Sequence, residues 1–279
     1  MITDSQIETW LREDVGHHDV TNEVPGETTG RLVAKERGVA AGLDAAAAVF
    51  DYLDVAVTDR IEDGTAIEAS DIVLEVSGSA RDVLRGERVA VNIAGHASGI
   101  ATKTDAAVAA ARGGSPDDET VRVAATRKTT PGLRGVEKRA VAAAGGDTHR
   151  LDLSHMVMVK DNHVAEMGLE GAVEHFRERV SFATKIEVEV EEPNEAPRAA
   201  AAGADIVLLD NMDPDTTERA VELLRERATE VGREVLAEAS GGITVEAVPD
   251  YAATGVDVIS MGSLTHSAPT LDYSFRTGE

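Results

Sequence analysis

Residues 205–263 read DIVLLDNMDPDTTERAVELLRERATEVGREVLAEASGGITVEAVPDYAATGVDVISMGS. Three short apolar runs stand out: DIVLL (205–209), EVLAEA (234–239) and DVISM (257–261). Their length suits buried strands. The stretches between them, 213–231 and 244–254, are compatible with helices. Working outward, the same texture begins at VRVAA (121–125) and continues through MVMV (156–159) and IEVEV (186–190). Strand–helix alternation repeated about six times implies parallel strands joined by crossover helices. The reading is a closed α/β barrel, with an open doubly wound sheet as the alternative.

Each run gives way to polar or glycine-rich residues. Thr126-Arg127-Lys128 come after the first, Lys160-Asp161-Asn162 after the second and Asp210-Asn211 after the fourth. The third carries Glu187 and Glu189, the fifth leads to Ser240-Gly241-Gly242, and the sixth to Gly262-Ser263. In a parallel barrel the C-terminal strand ends share one face, where active sites are built. Loops such as SGG and GS present backbone N–H groups to an anion, and a phosphate site after the last two strands recurs in barrels. Glu189 and Asp210, on neighbouring strands facing an anionic substrate, suit Mg²⁺, directly or through water, or sugar hydroxyls.

The 279 residues carry 51 Asp+Glu against 27 Lys+Arg, a formal net charge of −24. Such a chain repels phosphate backbones and anionic lipid, which argues against nucleic-acid and membrane-surface partners. At 42% hydrophobic residues it is no disordered acidic tail. Only six of the cations are lysine. Acid-rich and Lys-poor is the balance of a protein that stays soluble in concentrated salt, where the Debye length falls to about 3 Å at 1 M. The charge is not uniform. Between Arg122 and Lys160 lie eight cations (122, 127, 128, 134, 138, 139, 150, 160) and only three acids, Glu137, Asp147 and Asp152. That island, with His149 beside Arg150, is expected to bind a strongly anionic small molecule.

The absence of cysteine excludes disulfides, thiolate metal sites and a Cys nucleophile. The N-terminus, MITDSQIETWLREDVG, is polar and amphipathic, unlike a signal peptide, and no apolar run approaches the about 20 residues that span a bilayer. A soluble cytoplasmic protein is expected. The first half reads as a helix at 5–13 with Asp4 or Ser5 as N-cap, an irregular stretch, a strand at 30–37, a helix at 43–53 and a strand at 72–77. A long helix from Arg81 to Arg112 is expected to break near Gly95–Gly99, and GGSPDDET (113–120) reads as a linker. His17-His18-Asp19 lacks helical spacing and a third ligand, so it reads as loop. His96 reads as a packed or partly exposed helix residue.

The run TRKTTPGLRGVEKRAVAAAGGDTHRLDLSHMVMVKDNHV (126–164) resembles quinolinate phosphoribosyltransferase, the carboxylating nicotinate-nucleotide pyrophosphorylase family. The likeness continues in order through EDVGHHDVT (13–21), GERVAVNIAGHASGIATKT (86–104), EVEVE (187–191), DIVLLDNM (205–212), EASGGI (238–243) and GVDVISMGSLTHSAPTLD (255–272). It implies an incomplete α/β barrel (114–264) with an N-terminal α/β sandwich domain (1–113), onto which residues 265–279 pack back. It implies a homodimer with shared sites, or a higher oligomer, and transfer of phosphoribose from phosphoribosyl pyrophosphate to quinolinate with Mg²⁺. By motif, Arg127, His149, Arg150 and Lys160 would bind the quinolinate carboxylates, and Arg88 would reach in from the partner subunit. Lys128 would lie between the substrates, with Lys128, Lys160, Glu189 and Asp210 as the catalytic set. Glu189 and Asp210 would hold ribose hydroxyls and Mg²⁺, and Ser240, Gly241, Gly262 and His266 would hold phosphate.

Three positions depart from the family pattern. Ala125 stands where Asp usually precedes TRK, Thr148 where Asn usually precedes HR, and Gly262-Ser263 where Gly-Ala is commoner. The alternatives are a molybdenum-transport paralogue, a nicotinate phosphoribosyltransferase without decarboxylation, a Schiff-base aldolase using Lys160, and a non-catalytic anion-binding protein. The intact RKTTPGLR and THRLDL blocks argue against the first.

Overall fold

The structure is a computed structural model that describes residues 2–115 and 121–278, so most of the expected linker at 113–120 lies outside the described residues. In chain order come α1 (Asp4–Val15), β1 (Glu27–Ala34), β2 (Gly38–Val39), α2 (Leu43–Tyr52), β3 (Ala56–Arg60), β4 (Ala66–Ile67), β5 (Ile72–Ser79) and α3 (Ala80–Gly114). Next are β6 (Arg122–Ala125), α4 (Arg134–Ala143), β7 (Val157–Val159), α5 (Asp161–Met167), α6 (Leu169–Arg177) and β8 (Ile186–Val190). The chain ends with α7 (Ala196–Ala202), β9 (Ile206–Asp210), α8 (Pro214–Glu230), β10 (Leu236–Ser240), α9 (Val248–Ala252), β11 (Val258–Met261), α10 (Ser263–His266) and β12 (Tyr273–Thr277). Two compact units result. One gathers Met1–Asp105, Thr129–Gly145 and Leu264–Glu279; the other gathers Ala106–Lys128 and Gly146–Ser263. The expected boundary at 113–114 lies within α3.

The first unit is an antiparallel sheet in the order β12-β1-β5-β3, in which the C-terminal strand pairs with β1. Its core joins Leu32, Leu74 and Val76 of the sheet to Leu43 and Phe50 of α2, Val83 and Ala90 of α3, and Leu271 and Tyr273. Two expectations for this unit are corrected. The cap of α1 is Thr3, not Asp4 or Ser5: its hydroxyl accepts from the Gln6 N–H while the Gln6 side chain reaches back, a reciprocal capping box. Helix α3 does not break near Gly95–Gly99. Those glycines admit another backbone segment instead, since a Cβ on Gly99 would stand 1.9 Å from the Pro269 carbonyl oxygen and one on Gly95 2.8 Å from that of Leu271. Asp19 accepts from the backbone N–H groups of Thr21 and Asn22, both at 3.0 Å, and from Arg85 Nε at 2.8 Å. It therefore closes a turn, as the loop reading of His17-His18-Asp19 requires.

Glu137, fully buried on α4, is the polar anchor of this unit. It accepts from His96 Nε2 at 2.9 Å and from the Thr130 N–H at 3.2 Å through both oxygens. Burial pushes its carboxyl up, but these hydrogen bonds outweigh that and hold it below the ordinary glutamate range. A lowered folded value means the contribution is complete above the ordinary range and is lost as pH falls through the folded one. Urea midpoints of wild type should therefore drop on acidification more steeply than those of Glu137→Gln. Glu137→Ala, which orphans the Thr130 N–H and opens a void, should cost about 3 kcal/mol. Equal acid sensitivity of wild type and Glu137→Gln would remove the anchor role.

The second unit is a six-stranded sheet in the order β6-β11-β10-β9-β8-β7, parallel at every pairing. Each strand after β7 sits beside its predecessor in sequence, and the first strand pairs with the last. A doubly wound sheet instead reverses at an internal switch point, so this order is a cylinder left open between β6 and β7. The opening is edged by Asp147, whose N–H and carbonyl bond Val123 and Ala125 of β6. One face of the sheet is packed by Val188, Val207, Leu209, Ala237, Ile259 and Met261, all buried. The opposite face turns inward and mixes buried apolar residues such as Ala124 and Leu208 with carboxylates, among them the buried Glu187 and Glu238.

Candidate active site

Side chains alternate across a strand, and register partners share a face. Met158 pairs with Glu187, Glu189 with Leu208, Leu208 with Glu238, Asp210 with Ser240, and Ser240 with Ser260. The barrel interior thus collects Glu187, Glu189, Asp210, Glu238, Ser240 and Ser260, with Lys160 next after β7. In an interior this acidic, cations must answer. Lys160 Nζ ion-pairs with Glu189 Oε2.

His149 lies deeper. Its Nε2 is 3.0 Å from Glu238 Oε2 and 3.8 Å from Glu187 Oε1. Burial alone would push its imidazolium down, but the Glu187 carboxylate 3.8 Å away, together with the hydrogen bond and charge of Glu238, outweighs it and raises the ring to about 10. Whatever stability this ion cluster contributes is complete below the ordinary histidine value and lost as pH rises through about 10. Glu187 moves up in turn, through its own burial and the neighbouring charge of Glu238. Arg150 is buried beside them, with Nη2 2.9 Å from Met158 Sδ; desolvation lowers it while Glu187 pulls it up.

At the next strand end, burial and then the charge of Glu189 raise Asp210. This mutual repulsion of two carboxylates is what a divalent cation would relieve, so the pair fits Mg²⁺, provided the cation shares Glu189 with Lys160. The ends of β9 and β10 are locked together: the Asn211 N–H donates to the Ser240 carbonyl at 2.9 Å, and Asn211, Gly241 and Gly242 all have positive φ, 57°, 107° and 62°. Arg127 and Lys128 come just after β6 in the same unit. Arg88 (58% exposed, 3.5 Å from Glu87) and His266 (exposed, bonded to Ser267 Oγ at 2.6 Å) belong to the other unit, and Gly262 stays with the barrel.

The family model for the quinolinate phosphoribosyl transferase C-terminal domain matches residues 100–276, and that for the N-terminal domain matches 19–98. The chain belongs to the quinolinate phosphoribosyl transferase family. It is 45% identical over 275 residues to a probable carboxylating nicotinate-nucleotide pyrophosphorylase of Methanothermobacter thermautotrophicus, covering 97% of each chain. It is 43% identical to the human carboxylating nicotinate-nucleotide pyrophosphorylase, covering 97% of this chain and 90% of that one. The crystal structure of NadC from Streptococcus pyogenes superposes with a TM-score of 0.89 at 39% identity, covering 100% of this chain and 98% of that one.

At Ala125, where this member of the quinolinate phosphoribosyl transferase family departs from the usual Asp, the residue is fully buried and its N–H bonds the Asp147 carbonyl. Sequence reasoning missed two site residues, Glu187 and Glu238, as partners of His149. The signal was present, since each is an acid at an inward-facing position of a strand whose other residues are mostly apolar.

Proposed function

We propose that this chain is the quinolinate phosphoribosyltransferase of its host, making nicotinate mononucleotide, pyrophosphate and CO₂ from quinolinate and phosphoribosyl pyrophosphate on a route to NAD. The observation that carries the reading is the interior constellation of cations and carboxylates at the strand ends, in a chain that matches carboxylating relatives along its length. Arg127, His149, Arg150 and Lys160 would bind the two quinolinate carboxylates. Lys128 would lie between quinolinate and the donor. Glu189 and Asp210 would orient the ribose hydroxyls, and Ser240, Gly241, Gly262 and His266 would hold phosphate. The quinolinate nitrogen attacks the ribosyl carbon as its bond to pyrophosphate breaks, so catalysis is mainly positioning and a preorganised field. The ring nitrogen is then cationic and stabilises the electron pair left on the adjacent carbon when CO₂ departs; a proton takes its place. Mg²⁺, when bound by Glu189 and Asp210, supplies neutralisation of the pyrophosphate charge. Assay of quinolinate against nicotinate tests the reading: turnover of nicotinate alone would overturn it.

The assembly proposed is a homodimer in the cytoplasm, with Arg88 of one chain serving the other chain's site. Among the described residues no helix is long and apolar enough to cross a membrane. Mixing inactive Arg88→Ala and Lys160→Ala chains should restore about a quarter of wild-type activity, because half the chains enter mixed dimers and each mixed dimer holds one intact site. No recovery on mixing would count against the shared site.

The same protein is proposed to be adapted to concentrated salt. Among the described residues only four acids are buried, Asp19, Glu137, Glu187 and Glu238, so nearly all of the −24 net charge is on the surface. Self-repulsion of that surface weakens as the Debye length shrinks. The melting temperature should rise by about 10 °C or more between 0.1 M and 2 M KCl. Full stability and activity at 0.1 M would dismiss the salt adaptation and leave the enzymatic reading intact.

A further inference from the structure

Two of the four buried acids, Glu187 and Glu238, have no part in the reaction as proposed, yet they stand side by side against the His149 ring. Both oxygens of Glu187 and Oε1 of Glu238 lack a hydrogen-bond partner. Burying two carboxylates is expensive, and apolar residues of similar size would serve the fold as well or better. Their use must lie in what they do to their neighbours.

A ring that donates through Nε2 to Glu238 and must also donate through Nδ1 to a substrate carboxylate needs a proton on both nitrogens. A neutral imidazole offers one donor and one acceptor, and the acceptor would face the carboxylate. We propose that Glu187 and Glu238 are positioning residues for the substrate: they hold the His149 ring by Nε2, so that Nδ1–H is presented to a quinolinate carboxylate. The inference rests on the reading that His149 binds quinolinate. The backbone serves the same end, since His149 is held at φ 50° with its N–H donating to Asp147 Oδ1 at 2.7 Å. The charged groups that act on the ring are Glu187 from β8 and Glu238 from β10, with Arg150 beside it in sequence. The two acids and the two cations balance, so the dianionic substrate meets a site whose cations are already oriented.

The test is steady-state kinetics on the full chain with Glu238→Gln, which keeps size and an acceptor but removes the charge. The Michaelis constant for quinolinate should rise roughly 30-fold, the scale of losing one partner of a buried charge pair, while that for phosphoribosyl pyrophosphate stays within about twofold. His149→Ala should raise the same constant, and the double variant should be no worse than His149→Ala alone. Glu238→Asp should recover part of the loss, and Glu187→Gln, acting on the same ring from 3.8 Å, should shift the constant in the same direction. In ¹⁵N spectra both His149 ring nitrogens should stay protonated to about pH 9 in wild type and lose one proton near neutrality in Glu238→Gln. If His149→Ala weakens quinolinate binding and Glu238→Gln does not, the positioning role is overturned and the proposed function stands. If neither variant changes it, the assignment of His149 falls as well. One zinc per purified chain that disappears in Glu238→Gln would overturn the proposal in favour of a metal site on the same three residues, whose ligand atoms lie within 4.8 Å of one another.

Discussion

Lys160→Ala should lower kcat/KM for quinolinate phosphoribosylation by about 1,000-fold while leaving the fold intact, and Lys128→Ala should do nearly the same. Lys160 stands at the end of β7, 44% exposed, so its removal leaves no buried void and should cost stability no more than about 0.5 kcal/mol. What it removes is the counter-charge of Glu189. In its absence Glu189 and Asp210, which already repel each other, face an incoming dianion and a polyphosphate without a cation between them. The loss should appear in kcat as well as in KM, because the charge moving onto pyrophosphate grows toward the transition state. Lys160→Arg keeps the charge on a longer, planar head and should recover only a minor part. Wild-type rates in either alanine variant would refute the assignments; a fall in melting temperature of more than a few degrees would mean that the lysine is structural.

The barrel was legible because short apolar runs such as DIVLL and DVISM recur between helix-compatible stretches, the alternation that parallel strands with crossover helices require. The strand ends were legible for the complementary reason: an interior that turns abruptly to Lys160, Asp210 or Ser240 is hard to account for by packing. What escaped is of two kinds. The strands β3 and β12 belong to a sheet with an exposed face, and TDR or YSFRT has no apolar run to betray it. The pairing of β12 with β1 joins segments more than 200 residues apart; no local pattern encodes it, and only the family resemblance led to the expectation that residues 265–279 pack back. The glycines at 95 and 99 carried a true signal that was read as a break, because sequence cannot distinguish a residue that ends a helix from one that lets Pro269 and Leu271 lie against it. Glu187 stood out beside Glu189, but its place against His149 did not, and Glu238 escaped within EVLAEA; only the register of β8, β9 and β10 brings both to one face.

Gly241→Ala should be the most damaging single methyl group at the phosphate end of the site. The residue has φ +107°, where an L side chain is strained, and its Cβ would stand 2.3 Å from Asn211 Oδ1, 2.6 Å from Asn211 N and 2.8 Å from Asn211 Cα. Two of those three atoms are backbone and cannot swing away. Relief requires the ends of β9 and β10 to part, which breaks the hydrogen bond from Asn211 N–H to the Ser240 carbonyl. Strain and collision together should cost about 3 kcal/mol or more. Asp210 precedes Asn211, so the parting also moves a carboxylate assigned to the ribose and metal, and the Michaelis constant for phosphoribosyl pyrophosphate should rise about 100-fold. Gly242 is the internal control. It too has positive φ, +62°, but a Cβ there meets nothing within 4 Å. Gly242→Ala should therefore show only the left-handed penalty, about 1 kcal/mol, and near-normal donor binding. Urea denaturation and donor titration of the two variants separate the explanations: equal effects would mean that backbone conformation alone sets the cost, whereas a much larger effect at 241 ties the phosphate loop to the neighbouring strand.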